Sequence, residues 1–164
     1  MGDPGRLTLP CEFGNNTKTY ALDDYGSSIN LMLFLFYQKL NLPDLKVIRM
    51  TIHMANRSVT HPRGIMEDIL VKIGKFVFPI DFVILDMKED ANVPIILGRP
   101  LINTSRALVD IRESKITLRV GDDEVTFGIE DGFQMVMLKV KSSTLIKKMS
   151  LKNWKNLWKK RFNK

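Results

Sequence analysis

At 164 residues, 45% hydrophobic and 26% charged, the chain is long and apolar enough for one buried core, which excludes disorder throughout. Its formal charge of +7 is unevenly spread: all 18 acidic residues lie at or before Asp131, ten of the 25 basic residues lie from Lys139 onward, and the other 15 leave the body at −3. The composition predicts a mildly acidic lobe over 1–131 and a basic tail or linker over 132–164. The longest apolar stretch, 29–37 with Asn30 inside it, is far short of the roughly 20 residues of a spanning helix, so no membrane span is expected. Gly-Asp-Pro-Gly after Met1 is no secretory start and Cys11 has no partner for a disulfide. An intracellular address follows as the expectation, with cytoplasm and nucleus both open.

In chain order, apolar runs rich in Val, Ile, Leu and Phe predict strands at 7–13, 18–22, 47–54, 65–73, 76–87, 95–97, 107–111, 115–120 and 124–129. The turns Gly14-Asn15-Asn16, Ile73-Gly74-Lys75 and Gly121-Asp122-Asp123 supply residues that tolerate positive φ, which predicts hairpins. Two segments break the pattern. The stretch 30–40 carries Leu, Met and Phe without turn residues, and Gly98-Arg99-Pro100 sets Pro where a helix start accepts it, so a short helix is expected at each. In the tail, Leu151, Trp154, Leu157, Trp158 and Phe162 recur at helical spacing among lysines. Residues 139–164 are read first as a linker or solvated end, and second as a surface for nucleic acid or an anionic membrane.

The chemistry-bearing stretch is Tyr20 to Asn30, a strand running into Asp24-Tyr25-Gly26 and small polar residues. An Asp-X-Gly loop is often an ordinary turn. It is also the loop by which a strand delivers an aspartate to meet a second one, the two sharing a proton so that one acts as base toward water and the other as acid. Downstream, 92–102 places an apolar pair before Gly98-Arg99, and Met54 to Ile65 forms a polar turn between apolar runs.

In this order the motifs resemble the retropepsin-like aspartic protease domain of plant gypsy-type retrotransposon polyproteins. The matching segments are Asp3-Pro4-Gly5, Leu9-Pro10-Cys11, Asp24-Tyr25-Gly26-Ser27-Ser28, Ala55-Asn56-Arg57-Ser58, Pro62-Arg63-Gly64, Asp81-Phe82-Val83-Ile84-Leu85-Asp86 and Ile96-Leu97-Gly98-Arg99-Pro100, spread over about residues 3–129. The resemblance implies a mainly β, closed-barrel lobe with one or two short helices. It implies Asp24 as the catalytic aspartate, with Tyr25, Gly26 and Ser27 supporting its loop. Arg57, Ser58, Thr60, His61 and Gly64 would belong to a flap over bound peptide, and Ile96, Leu97, Gly98 and Arg99 to the second signature beneath the loop. Because one chain offers one such loop, it further implies a homodimer with a shared-proton Asp24 pair, an endopeptidase acting on a polyprotein. The alternative is an inactive remnant kept as a binding or dimerisation module.

Three residues depart from the family pattern. Tyr25 stands where related enzymes carry Ser, Thr or Leu, Asp23 where the plant domains carry Cys, and Asn56 where they carry Asp; strand alternation should point Asp23 away from Asp24. Two histidines and one cysteine give no zinc spacing and no Gly-rich phosphate loop is present, so neither metal nor cofactor is expected. Cys11 reads as a small core residue.

Overall fold

The structure, a computed structural model, describes residues 7–53, 57–87, 93–130, 134–141 and 151–162. The matches at Asp3-Pro4-Gly5, Ala55 and Asn56 lie outside the described residues. Strand β1 (Leu7–Phe13) alternates, with Leu7, Leu9, Cys11 and Phe13 buried, and turns at Asn16 (φ 70°) into β2 (Lys18–Asp23). There follow β3 (Leu31–Leu33), α1 (Phe34–Lys39), the short hairpin strands β4 (Ile52–His53) and β5 (Val59–Thr60), then β6 (Gly64–Ile73) and β7 (Phe76–Leu85) joined at Gly74 (φ 64°). Strand β8 (Ile95–Leu97) leads into α2 (Arg99–Thr104), with Pro100 in its first turn. Six of these strands close a barrel in the order β1-β2-β8-β3-β7-β6. Its interior is filled by alternate side chains, among them Leu9, Phe13, Met32, Ile69, Phe82 and Ile84.

A second sheet is built from β9 (Leu108–Asp110), β10 (Lys115–Val120), β11 (Asp123–Glu130) and β12 (Gln134–Lys141), in the order β12-β11-β10-β9. It packs on the barrel where Val125 and Phe127 meet the β6–β7 turn; a Cβ on Gly74 would lie 3.0 Å from Phe127 Cζ. Helix α3 (Leu151–Phe162) ends the described chain and buries Trp154, Trp158 and Phe162. Trp158 seats on the β1–β2 turn, 6.1 Å between ring centres from Phe13, so close over Gly14 that a Cβ there would fall 2.1 Å from Trp158 Cγ. Lys155 reaches Asn16 Oδ1 (2.7 Å) and Glu12 Oε1 (3.4 Å), and Arg161 reaches Asp68 Oδ2 (2.8 Å).

Most expected strands and all three hairpin turns are present, and the differences have tertiary causes. Residues 31–33 form a strand because β7 pairs with them in parallel on one side and β8 antiparallel on the other, so the helix expected over 30–40 is confined to α1. Of the strand expected over 47–54, Met54 lies outside the described residues and only Ile52–His53 of the rest is strand: after the Lys46–Ile65 bridge the chain leaves the barrel, and Val47 is 83% exposed. The run at 76–87 stops at Leu85, as Asp86 turns outward to Arg63 Nη2 at 2.6 Å. On α3, Leu157 is half exposed although its spacing placed it on the apolar stripe. β12, which lies within the basic segment expected over 132–164, pairs antiparallel with β11. No helix among the described residues is long and apolar enough to cross a membrane.

Candidate active site

The barrel's crossover creates the site. β8 is inserted between β2, which it meets in parallel, and β3, which it meets antiparallel, so the ends of β2 and β8 emerge side by side and Asp23 pairs with Leu97. Asp24 follows directly, its N–H donating to the Leu97 carbonyl at 2.9 Å. The loop then folds back on itself: the Gly26 N–H donates to Asp24 Oδ1 at 2.8 Å, and the Ser27 hydroxyl donates to the Ile29 carbonyl at 2.6 Å. One carboxylate oxygen is thus fixed by a backbone amide while the side chain stays part-exposed.

The second signature clamps this loop from below. The Arg99 N–H donates to the Ser27 carbonyl at 2.9 Å, and the Gly98 N–H donates to Asn30 Oδ1 at 2.8 Å. Gly98 is required by space: a Cβ would sit 2.4 Å from the Ile29 carbonyl oxygen and 2.6 Å from that of Ser27. Leu97 is buried in the core and Ile96 is part-buried, paired with both Leu22 and Leu31. The four signature residues and the Asp24 loop are therefore one hydrogen-bonded unit.

Asn30 is the member that motif reading missed. It is buried, receives Gly98 through its side-chain oxygen, donates through Nδ2 to the Asp81 carbonyl at 3.3 Å, and accepts the Val83 N–H on its own carbonyl at 2.9 Å. One side chain thereby ties the loop, β8 and β7 together. Its signal was a lone amide inside an apolar run, a position that costs stability unless every polar atom is bonded.

Asp23 differs from its neighbour. Its Oδ1 is sealed from solvent with no hydrogen-bond partner among the described residues, and burial, then the charge of Asp24, push its pKa up to about 6. Tyr25 is half exposed; burial and then the Asp23 charge raise its phenol pKa. Cys11 lies in the core, its thiol directed at the Leu9 carbonyl and pushed up to about 12 by burial.

The residues assigned to a flap divide in two. Arg57 (φ 66°), Ser58 and Thr60 belong to the β4–β5 hairpin, a ladder of two residue pairs instead of the long strands expected. His61 is exposed just beyond it, whereas Gly64 is buried at the start of β6, where a Cβ would meet the Lys46 carbonyl oxygen at 2.7 Å. Gly64 thus serves the barrel wall. Arg63 between them stacks over Phe34 at 4.1 Å. In the tail, Trp154, Trp158 and Phe162 point into the fold, so these rings offer no platform for stacking bases. Among the described residues no group of three or more His, Cys, Asp or Glu side chains could hold a metal.

No protein-family model matches the sequence, and no curated protein does. Among solved structures the fold is similar to the retroviral protease-like domain of Ddi1 from Leishmania major, at TM-score 0.54 and 16% identity over 82% of this chain and 94% of that one. A retropepsin-like aspartic protease from Rickettsia conorii matches at TM-score 0.49 and 21% identity, over 66% of this chain and 79% of that one. The architecture is a retropepsin-like closed barrel.

Proposed function

We propose that the chain is one lobe of an aspartic endopeptidase that acts as a homodimer, each copy contributing Asp24 to a shared-proton pair. The observation that carries this reading is the Asp24 loop itself. An aspartate with one oxygen held by the Gly26 amide, on a loop wired to Leu97, Gly98 and Arg99, is a fixed carboxylate at the mouth of a retropepsin-like barrel. One carboxylate supplies half of an acid–base pair, and a two-fold axis supplies the other half. The paired state activates water against the carbonyl of an extended peptide laid between two β4–β5 hairpins. The order of motifs along the sequence supports a retrotransposon polyprotein of plant gypsy type as the source of chain and substrate.

Cleavage of an unstructured peptide by the purified chain, with Asp24→Asn alongside, tests this. The expected result is a rate that Asp24→Asn abolishes, together with a dimer in sedimentation; a strictly monomeric chain, or cleavage indifferent to the substitution, overturns it. Tyr25 favours a second reading, a lobe that keeps the fold without catalysis, because a bulky phenol cannot supply the short hydroxyl brace of serine or threonine at this position. Under that reading Tyr25→Thr raises cleavage from nothing to a measurable rate.

A further inference from the structure

Just beyond the Asp24 loop the chain lines a cavity of about 310 Å³, room for one long side chain. Ile29 and Asn30 form the wall nearest the loop, Met50 comes from the segment before β4, and Pro100 from α2. At its edge stand two carboxylates, Asp68 and Asp81, and no lysine or arginine lines it among the described residues. The carboxylates are placed by an irregularity. The β6–β7 register shifts between Met66 and Ile69, Asp68 adopts φ 55°, and its N–H donates to Asp81 Oδ1 at 2.7 Å. Arg161 of α3 already pairs with Asp68 Oδ2 at 2.8 Å, so the charge left for an incoming cation is that of Asp81, which pairs with no cation among the described residues. Apolar walls that accept methylenes, ending in a carboxylate that accepts a cation, match a side chain with a hydrocarbon stem and a charged head.

We propose that this cavity is a specificity pocket for a lysine or arginine side chain of the bound peptide, a proposal that rests on the endopeptidase reading. The pocket shares its wall with the catalytic loop: Asn30 lines it, holds Gly98 and bonds the Asp81 carbonyl. Asn30 follows Asp24 by six residues, at most about 20 Å of chain at roughly 3.3 Å per residue, so the pocket lies within reach of a peptide side chain a few residues from a scissile bond at Asp24.

The test uses the full chain and peptide pairs that differ at one position, lysine against norleucine, which keeps the stem and drops the charge; the position is moved along the peptide. Two readouts are taken: the ratio of kcat/KM, and the ratio of Kd for fluorescent peptides on Asp24→Asn. Lysine should be favoured at one position by roughly fivefold in both, and the preference should shrink as salt is added. Asp81→Asn retains an oxygen for the Asp68 N–H while removing the charge, and should bring the ratio to parity. Thr104→Lys, at an exposed position of the lining, places a tethered ammonium in the pocket and should do the same without touching the barrel. Equal handling of lysine and norleucine at every position, or a preference that survives both substitutions, overturns the proposal. Cleavage abolished by Asp24→Asn but without a lysine preference sinks the pocket and leaves the endopeptidase standing; a preference in binding without Asp24-dependent cleavage does the reverse.

Discussion

The two ends of strand β2 are secured by different physics. At its Asp23 end the ties are hydrogen bonds, nearly all to main chain, reinforced by one close approach at Gly98. At its Lys18 end the turn is covered by α3, where Phe13, Trp158 and Phe162 meet ring to ring and charges sit only at the rim. Hydrogen bonds are directional, so they fix where a carboxylate points; apolar contact is not, so it supplies stability without setting a geometry. The difference assigns geometry to one end and cohesion to the other, and substitutions should separate them.

The largest effect belongs to the α3 end. Trp158→Ala removes a buried indole over Gly14 and should cost about 3–5 kcal/mol in urea unfolding. Since the Asp24 loop makes none of those contacts, the folded fraction should retain its peptide affinity. Gly98→Ala should cost less stability, about 1–3 kcal/mol, because the loop must shift to admit a methyl group. Its effect on cleavage should be the greater of the two, since the atoms displaced are the carbonyls of Ser27 and Ile29; equal loss of activity in the two folded variants would erase the contrast.

Asp23→Asn probes the polar end through pH. Folding raises the Asp23 pKa from 3.8 to about 6, so the folded state prefers the protonated acid. As pH rises from about 4 through about 6 the native chain loses stability that the amide variant keeps. The melting temperature of Asp23→Asn should therefore pull ahead of the parent across that window and hold a constant lead above it; parallel curves would show that Asp23 does not sense the fold. The smallest effect is expected at Leu157→Ala on the exposed side of α3, within about 0.5 kcal/mol of the parent.

The polar end was legible in the sequence because its chemistry is local. Asp24-Tyr25-Gly26 and Ile96-Leu97-Gly98-Arg99 are short motifs, and the resemblance placed them together in a closed barrel, as the structure does. What lay beyond local pattern was set by partners distant in sequence. Leu31 to Leu33 are good helix formers that become a strand only because two strands flank them. Asn30 becomes the central tie only when Gly98 and Asp81 arrive. The apolar stripe of α3 was visible, but its seat over Gly14 depends on a glycine that sequence reading treated only as a turn residue. Leu157 was misplaced because spacing alone does not say how wide a stripe the barrel covers.

The seat of α3 also sets an order of events. Lys155 and Asn16 are 139 positions apart, so the covering of the first hairpin waits for nearly the last residues of the described chain. On the ribosome, β1 and β2 emerge early and remain with one flank bare until the tryptophans are released from the exit tunnel, and closing so long a loop carries an entropic cost that nearer contacts do not. A nascent chain stalled before residue 151 would expose Phe13 and its neighbours, a sticky surface of the kind that chaperones engage. Helix α3 therefore acts in time as well as in space, marking the point at which the lobe stops being a liability during its own synthesis.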